Sequence, residues 1–212
     1  MTAGRSNSAS LSHDWCTPRK YVDAISYFFG GTIALDPCSN EHSIVNATTE
    51  FSLPHSDGLV ENWDFSTVFV NPPYGRDRLR NTSIRDWLAK CSQSHARYDS
   101  EILALVPVAT NTRHWKDHVF GVATAVSFLY DTRLKFSVNG SDTSKGAPMS
   151  CAMIYWGVNY KRFEEVFLRF GAVVDLRHLK GKRIGSFDEP LFDFVEQSAL
   201  NRQSNSRTRR PD

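Results

Sequence analysis

At 212 residues, with 41% hydrophobic and 12% aromatic side chains, the chain is long enough to close one well-packed domain without disulfide or metal staples. A net charge of only +2 at pH 7 excludes a grip on nucleic acid spread over the whole surface, so any such grip must come from local clusters. Cys16, Cys38, Cys91 and Cys151 form no CxxC pair, which argues against a zinc site and a dense disulfide framework, and the longest apolar run, 102–109, is too short to cross a bilayer. The Ser-rich start lacks the apolar segment of a secretion signal, so a reduced, cytoplasmic setting is expected. Residues 1–12 and 198–212 are polar and aperiodic, the second stretch basic, and read as disordered tails around one domain over 13–197.

In chain order, Thr17 and Pro18 mark a helix start, Thr as the cap and Pro preformed for the first helical position. Tyr21, Val22, Ile25, Phe28 and Phe29 then recur at helical spacing until Gly30-Gly31 stops the helix. Ile33 to Leu35 predicts a short strand ending in Asp36-Pro37, and Thr67 to Val70 a second strand running into Asn71-Pro72-Pro73-Tyr74. A helix through Ile84, Trp87, Leu88 and Cys91 follows, then a strand over 102–106 and a helix over about 112–122. Strands are expected over 125–130 and 150–156, separated by a Gly/Ser/Asp/Lys-rich loop, and Phe163, Val166, Phe167 and Phe170 mark a last helix. This alternation predicts an α/β domain with a mostly parallel sheet and helices on both faces. In such sheets a ligand lies beyond the carboxyl ends of the strands, where Asp36 and Asn71 both fall.

Asn71-Pro72-Pro73-Tyr74 is the most informative stretch. An aromatic amine is a poor nucleophile because its lone pair is delocalised into the ring. Two acceptors on its two N–H groups can draw the nitrogen toward tetrahedral geometry. The Asn71 side-chain oxygen supplies one acceptor and the next residue's backbone carbonyl the other, with two prolines stiffening the turn that aims it. Tyr74 can stack on a planar base, a contact worth roughly 1–3 kcal/mol. All four residue types also favour a plain turn, but the preceding strand and the following Gly75 weigh toward a site.

The ordered series Asp14-Trp15-x-Thr17-Pro18, Leu35-Asp36-Pro37-Cys38, Asp57-Gly58-Leu59 with Trp63, and Phe69-Val70-Asn71-Pro72-Pro73-Tyr74-Gly75 resembles the phage-type DNA N6-adenine methyltransferase (Dam-like) family. The likeness continues through Val106-Pro107, Thr112-Arg113-x-Trp115 and Arg133-Leu134-Lys135-Phe136 to Gly157, and so covers most of the chain. It implies a class I, Rossmann-like methyltransferase domain, S-adenosylmethionine as methyl donor, and adenine in double-stranded DNA as acceptor, in the host cytoplasm if the protein is phage-encoded. No metal is implied, and the oligomeric state is left open.

Carried across by position, Asn71, Pro72, Pro73 and Tyr74 would form the catalytic set. Asp36 would bind the cofactor's ammonium, with Cys38 beside it, and Trp15, Thr17 and Pro18 would close over the cofactor from a helix N-terminus. Asp57 would face the cofactor's adenine amino group, with Gly58 and Leu59 alongside, and Glu50 is a candidate for the ribose. The loop 36–40 lacks the glycines that many methyltransferases place there, which weakens the cofactor assignments relative to the catalytic ones. Asp36 also fits a strand-end turn before Pro37, and Trp15 and Trp63 also fit a core.

For DNA, Arg76, Arg78, Arg113, Lys116, Arg133 and Lys135 follow strand carboxyl ends and would supply phosphate contacts, although charge runs also serve simply as solvated surface. The 137–149 loop would approach the duplex and Phe136 would help hold an extruded base. His114 and His118 share helical spacing but lack the Glu of a zinc-protease helix. The same acceptor geometry would serve cytosine N4, an RNA base or a protein glutamine amide. Asn rather than Ser at position 71 favours adenine over cytosine by the resemblance. A non-catalytic DNA-binding protein on the same scaffold is the rival of a different class.

Overall fold

The computed structural model describes residues 15–131, 134, 136–138, 141–142 and 149–181. The elements in order are β1 (Trp15–Cys16), α1 (Arg19–Phe28), β2 (Leu35–Asp36), β3 (Thr49–Glu50), β4 (Thr67–Val70), α2 (Ile84–Tyr98), β5 (Glu101–Pro107) and α3 (Arg113–His118). There follow β6 (Ala125–Leu129), β7 (Ser137–Val138), β8 (Ser141–Asp142), β9 (Cys151–Trp156), α4 (Tyr160–Phe167), β10 (Gly171–Asp175) and a 3-10 turn over Arg177–Leu179.

Seven strands form one sheet in the order β10-β6-β9-β5-β4-β2-β3. β3, β2, β4 and β5 are mutually parallel. β9 runs against both β5 and β6, so β6 points the same way as the parallel block, and β10 runs against β6. β1, β7 and β8 make a separate three-stranded antiparallel sheet.

The near-continuous apolar runs of β4, β5 and β9 exist because both faces of the sheet are covered. Side chains alternate between the two covers. Phe69, Leu103, Leu105, Met153 and Tyr155 pack with Tyr21, Ile25 and Phe28 of α1 and Phe163 and Phe167 of α4. Val68, Val70, Ile102, Ala104, Ile154 and Trp156 pack with Trp87, Leu88 and Cys91 of α2 and Trp115 of α3. The helices thus lie on both faces, as expected.

Differences from expectation fall at ends and edges. α1 begins at Arg19 with Pro18 as its cap residue, and no side chain caps it; Thr17 sits one position too early and is buried instead. The helix expected over 112–122 closes after Arg113–His118, and Phe170 lies beyond α4 rather than on it. β1, β3, β7, β8 and β10 were not expected, β7 and β8 falling in the stretch read as a loop: the first four have only two residues each, too few for periodicity, and β10 is an edge strand with one face exposed. α2 opens as the sequence allows, with Asp86 Oδ2 accepting from the Ser83 N–H at 2.8 Å, and it ends at Asp99 in the left-handed region.

Phe69 is fully buried in β4, two residues before Asn71. Phe69→Ala is expected to cost about 3–5 kcal/mol of unfolding free energy, measured by urea denaturation, because the central sheet cannot collapse around the void.

Candidate active site

Parallel pairing sets Leu35 of β2 opposite Val68 of β4, so the carboxyl ends of both strands open on one edge of the sheet. Asp36 is the last residue of β2, and Asn71 directly follows β4. A cleft of about 700 Å³ lies along this edge. Its walls include Cys38, Glu50, Phe51, Asp57, Pro73 and Arg80.

Asp36 is buried, with 3% of its surface exposed. Its Oδ1 accepts from the Cys38 backbone N–H at 3.1 Å. Burial, reinforced by the neighbouring Glu50 carboxylate, outweighs that hydrogen bond and pushes its pKa up to about 7. Burial also raises the Cys38 thiol well above its usual range, with Asp36 adding to the shift, so Cys38 is an uncharged wall of the cleft. Glu50 ends β3, where its two oxygens accept from Ser39 Oγ at 3.0 Å and from the Ala47 N–H at 3.2 Å.

Gly58 has a steric task. A Cβ there would fall well inside contact distance of the Pro37 carbonyl oxygen, so only glycine lets the 57–59 loop close on the 36–38 loop. The Gly58 carbonyl accepts from Trp63 Nε1 at 2.7 Å, and Lys90 Nζ donates to the carbonyls of Leu59 and Glu61 at 3.3 and 2.7 Å. Trp63 is a fully buried core residue that braces this loop. Asp57 Oδ1 accepts from the Leu59 N–H at 3.0 Å and is ion-paired with Arg80.

On the other side of the motif, Asn71 Nδ2 donates to the Trp15 backbone carbonyl at 3.1 Å. Among the described residues none donates to Asn71 Oδ1, which leaves that oxygen as an acceptor. Pro72 is buried and Pro73 faces the cleft. Tyr74 OH donates to the Leu105 carbonyl at 3.2 Å, and burial raises its phenol well above the usual range, so Tyr74 is a neutral, oriented ring. Trp15 stacks on Phe136 with centroids 5.1 Å apart, and Tyr74 meets each ring edge-on at 5.7 Å. Trp15 and Phe136 are therefore gathered at the Asn71–Tyr74 turn rather than at the cleft wall. Phe136 is 2% exposed within this aromatic group.

The basic residues divide. Arg76 and Arg78 are exposed on the segment after Tyr74, and Arg113 and Lys116 are exposed on α3, where Arg113 pairs with Asp117 at 3.3 Å. Arg133 and Lys135 lie outside the described residues, as do most of the 137–149 loop and both tails. His114 and His118 are satisfied locally: His114 Nε2 is 3.1 Å from Thr112 Oγ1 and His118 Nδ1 is 3.3 Å from Ser92 Oγ, and burial lowers both pKa values. Among the described residues no group of three or more His, Cys, Asp or Glu side chains is arranged to hold a metal ion, and no helix is long and apolar enough to cross a membrane. The sequence gives no sign that Phe51 lines the cleft or that Arg80 joins its wall through Asp57.

A parallel block of core strands, helices on both faces, and Asp and Asn at neighbouring carboxyl ends define an α/β methyltransferase fold. The chain belongs to the DNA N-6-adenine-methyltransferase (Dam) family, whose model matches residues 5–184. No curated protein sequence matches it.

Gly58→Ala is expected to lower unfolding free energy by about 1–3 kcal/mol, because two loop backbones must separate to admit one methyl group. Urea denaturation of the purified variant measures the loss.

Proposed function

We propose that the chain transfers a methyl group from S-adenosylmethionine to N6 of an adenine swung out of double-stranded DNA. The observation that carries this reading is the placement of Asn71 and Asp36 at adjacent parallel strand ends, with Asn71 tethered through its nitrogen and its oxygen left to accept. The family match supplies the acceptor class.

The residues present fit the cofactor. Asp36 is a buried carboxyl at a strand end whose pKa is raised by burial and by Glu50, and an ammonium group placed against it would offset both effects. Glu50 stands at the cleft, where acceptor capacity beyond its bonds from Ser39 and Ala47 suits ribose hydroxyls, and Phe51 offers an apolar wall for a flat base. The Asp57 carboxylate is shared with Arg80, so a contact to the cofactor's adenine amino group would use acceptor capacity beyond that pair. S-adenosylmethionine supplies a sulfonium-activated methyl group, which needs in-line placement more than acid or base help.

The chain's own residues do the positioning. Asn71 Oδ1 and the Pro72 carbonyl accept from the two N–H groups of the adenine amine and localise its lone pair. The bond from Nδ2 to the Trp15 carbonyl prevents the Asn71 amide from presenting its nitrogen instead. Tyr74, fixed through its hydroxyl, presents an aromatic surface to the base. The adenine must leave the helix, because its amine inside a stacked duplex cannot meet the sulfonium in line. Arg76, Arg78, Arg113 and Lys116 offer cationic groups to the phosphates around it.

Transfer of a labelled methyl group to unmodified DNA, followed by nucleoside analysis, tests this reading, with N6-methyladenine as the expected product. Transfer to cytosine, or to RNA or protein in place of DNA, would reassign the acceptor. Asn71→Ala is expected to lower the methylation rate by at least about 100-fold while DNA binding persists, in line with the loss of one preorganised polar contact.

A pH dependence follows from Asp36. Its pKa in the free protein is raised to about 7, and an ammonium partner would lower it, so cofactor binding must expel a proton at pH below that value. Cofactor affinity should be greatest between about pH 7 and 8, fall by up to about tenfold per unit below pH 7 as Asp36 is protonated, and fall again above about pH 8 as the cofactor's own α-amino group loses its proton. Calorimetry in buffers of different ionisation enthalpy should show proton release near pH 6, and Asp36→Asn should abolish it.

A further inference from the structure

The chain leaving the catalytic turn folds into a braced hairpin. Asp77 and Thr82 exchange backbone hydrogen bonds at 2.9 and 3.1 Å. Inside the turn, Asp77 Oδ1 accepts from the N–H groups of Leu79 and Arg80 at 2.9 and 3.0 Å, and Asn81 takes a left-handed backbone conformation. Arg76 Nη2 donates to Asn81 Oδ1 at 2.7 Å across the base of the loop. Arg80 ties the whole hairpin back to Asp57 in the cleft wall.

Two side chains at the tip are left over. Leu79 is 100% exposed, the most exposed large hydrophobic among the described residues. Arg78 beside it is exposed, and no described residue pairs with it. An isolated surface leucine usually needs no explanation. Here, however, several hydrogen bonds and an ion pair hold a leucine in water, on a tip whose stem begins three residues after Tyr74. Removing a base from a duplex leaves a gap in the stack, and an apolar side chain pushed between base steps can fill it while a neighbouring cation meets the phosphates.

Resting on the function proposed above, we infer that Leu79 is a wedge that enters the DNA stack beside the extruded adenine, with Arg78 on the adjoining phosphate. Leu79 is a positioning residue: it holds the duplex open and touches neither the methyl donor nor the reacting amine. Its side chain contributes to the reaction only when the target adenine is stacked and paired.

The test compares wild type, Leu79→Ala and Leu79→Met in single-turnover methylation of two oligonucleotide duplexes built on a site mapped with the wild-type enzyme. In one the target adenine faces thymine, and in the other it faces an abasic site. Leu79→Ala should lose about tenfold or more on the paired duplex and little on the abasic one, with Leu79→Met near wild type, since only the paired target carries the full unstacking cost. With 2-aminopurine at the target position, Leu79→Ala should also lose the fluorescence rise that reports an unstacked base. Equal rates for all three proteins, or an equal loss on both duplexes, would overturn the wedge while leaving the methyltransferase reading intact. Wild-type protein that methylates no DNA overturns that reading and the wedge with it. Thermal melting should show all three proteins equally stable, because Leu79 touches no core.

Discussion

One parallel register, Leu35 opposite Val68, puts a buried carboxylate and a tethered carboxamide at the same edge of the sheet. The elements around it serve that juxtaposition. β5 continues the parallel block beyond β4, and helices on both faces hold the strands from above and below. Because alternate residues of β4 point to opposite covers, neither face can slip by one position without exchanging Phe69 for Val68 and Val70. Precision at Asn71 is thus inherited from packing several residues upstream.

The cleft beside that edge is shaped by backbone closeness more than by side-chain bulk. Gly58 lies against the Pro37 carbonyl, and the tie from Trp63 Nε1 to the Gly58 carbonyl holds the loop there. This brings Asp57 next to Arg80, so the cleft wall and the hairpin after the Asn71–Tyr74 turn share one ion pair. Asp36 differs in kind. It is deep, accepts at Oδ1 from the Cys38 backbone N–H, and has its pKa raised to about 7 chiefly by burial, so a positive charge placed against it would favour its ionised form.

Across the motif from the cleft, the aromatic group has two functions in one arrangement. The backbone of Trp15 orients Asn71 through a carbonyl, whereas its indole stacks on Phe136 and meets Tyr74. The small sheet β1-β7-β8 pairs Trp15 with Val138 and Cys16 with Ser137, which joins residues more than a hundred positions apart beside the Asn71–Tyr74 turn. Neither periodicity nor spacing carries such a contact, since both strands are two residues long.

Residue patterning alone is enough for the α/β class and the core strands, and it singles out the Asn71–Tyr74 turn as the candidate site. Long apolar runs announce strands buried on both faces, and Asn-Pro-Pro-Tyr after such a run is a local signal that needs no tertiary information. Short or edge elements such as β3 and β10 escaped because two residues have no period and a half-exposed strand has little hydrophobic contrast. Tertiary packing is what makes Gly58 a close-approach residue, turns Arg80 toward Asp57, joins the Trp15 carbonyl to Asn71, and leaves Leu79 fully exposed at the hairpin tip. Each of these is a relation between segments distant in the chain or a matter of exposure. Such relations are set by how the covers and loops close on the sheet, and residue type alone does not encode them.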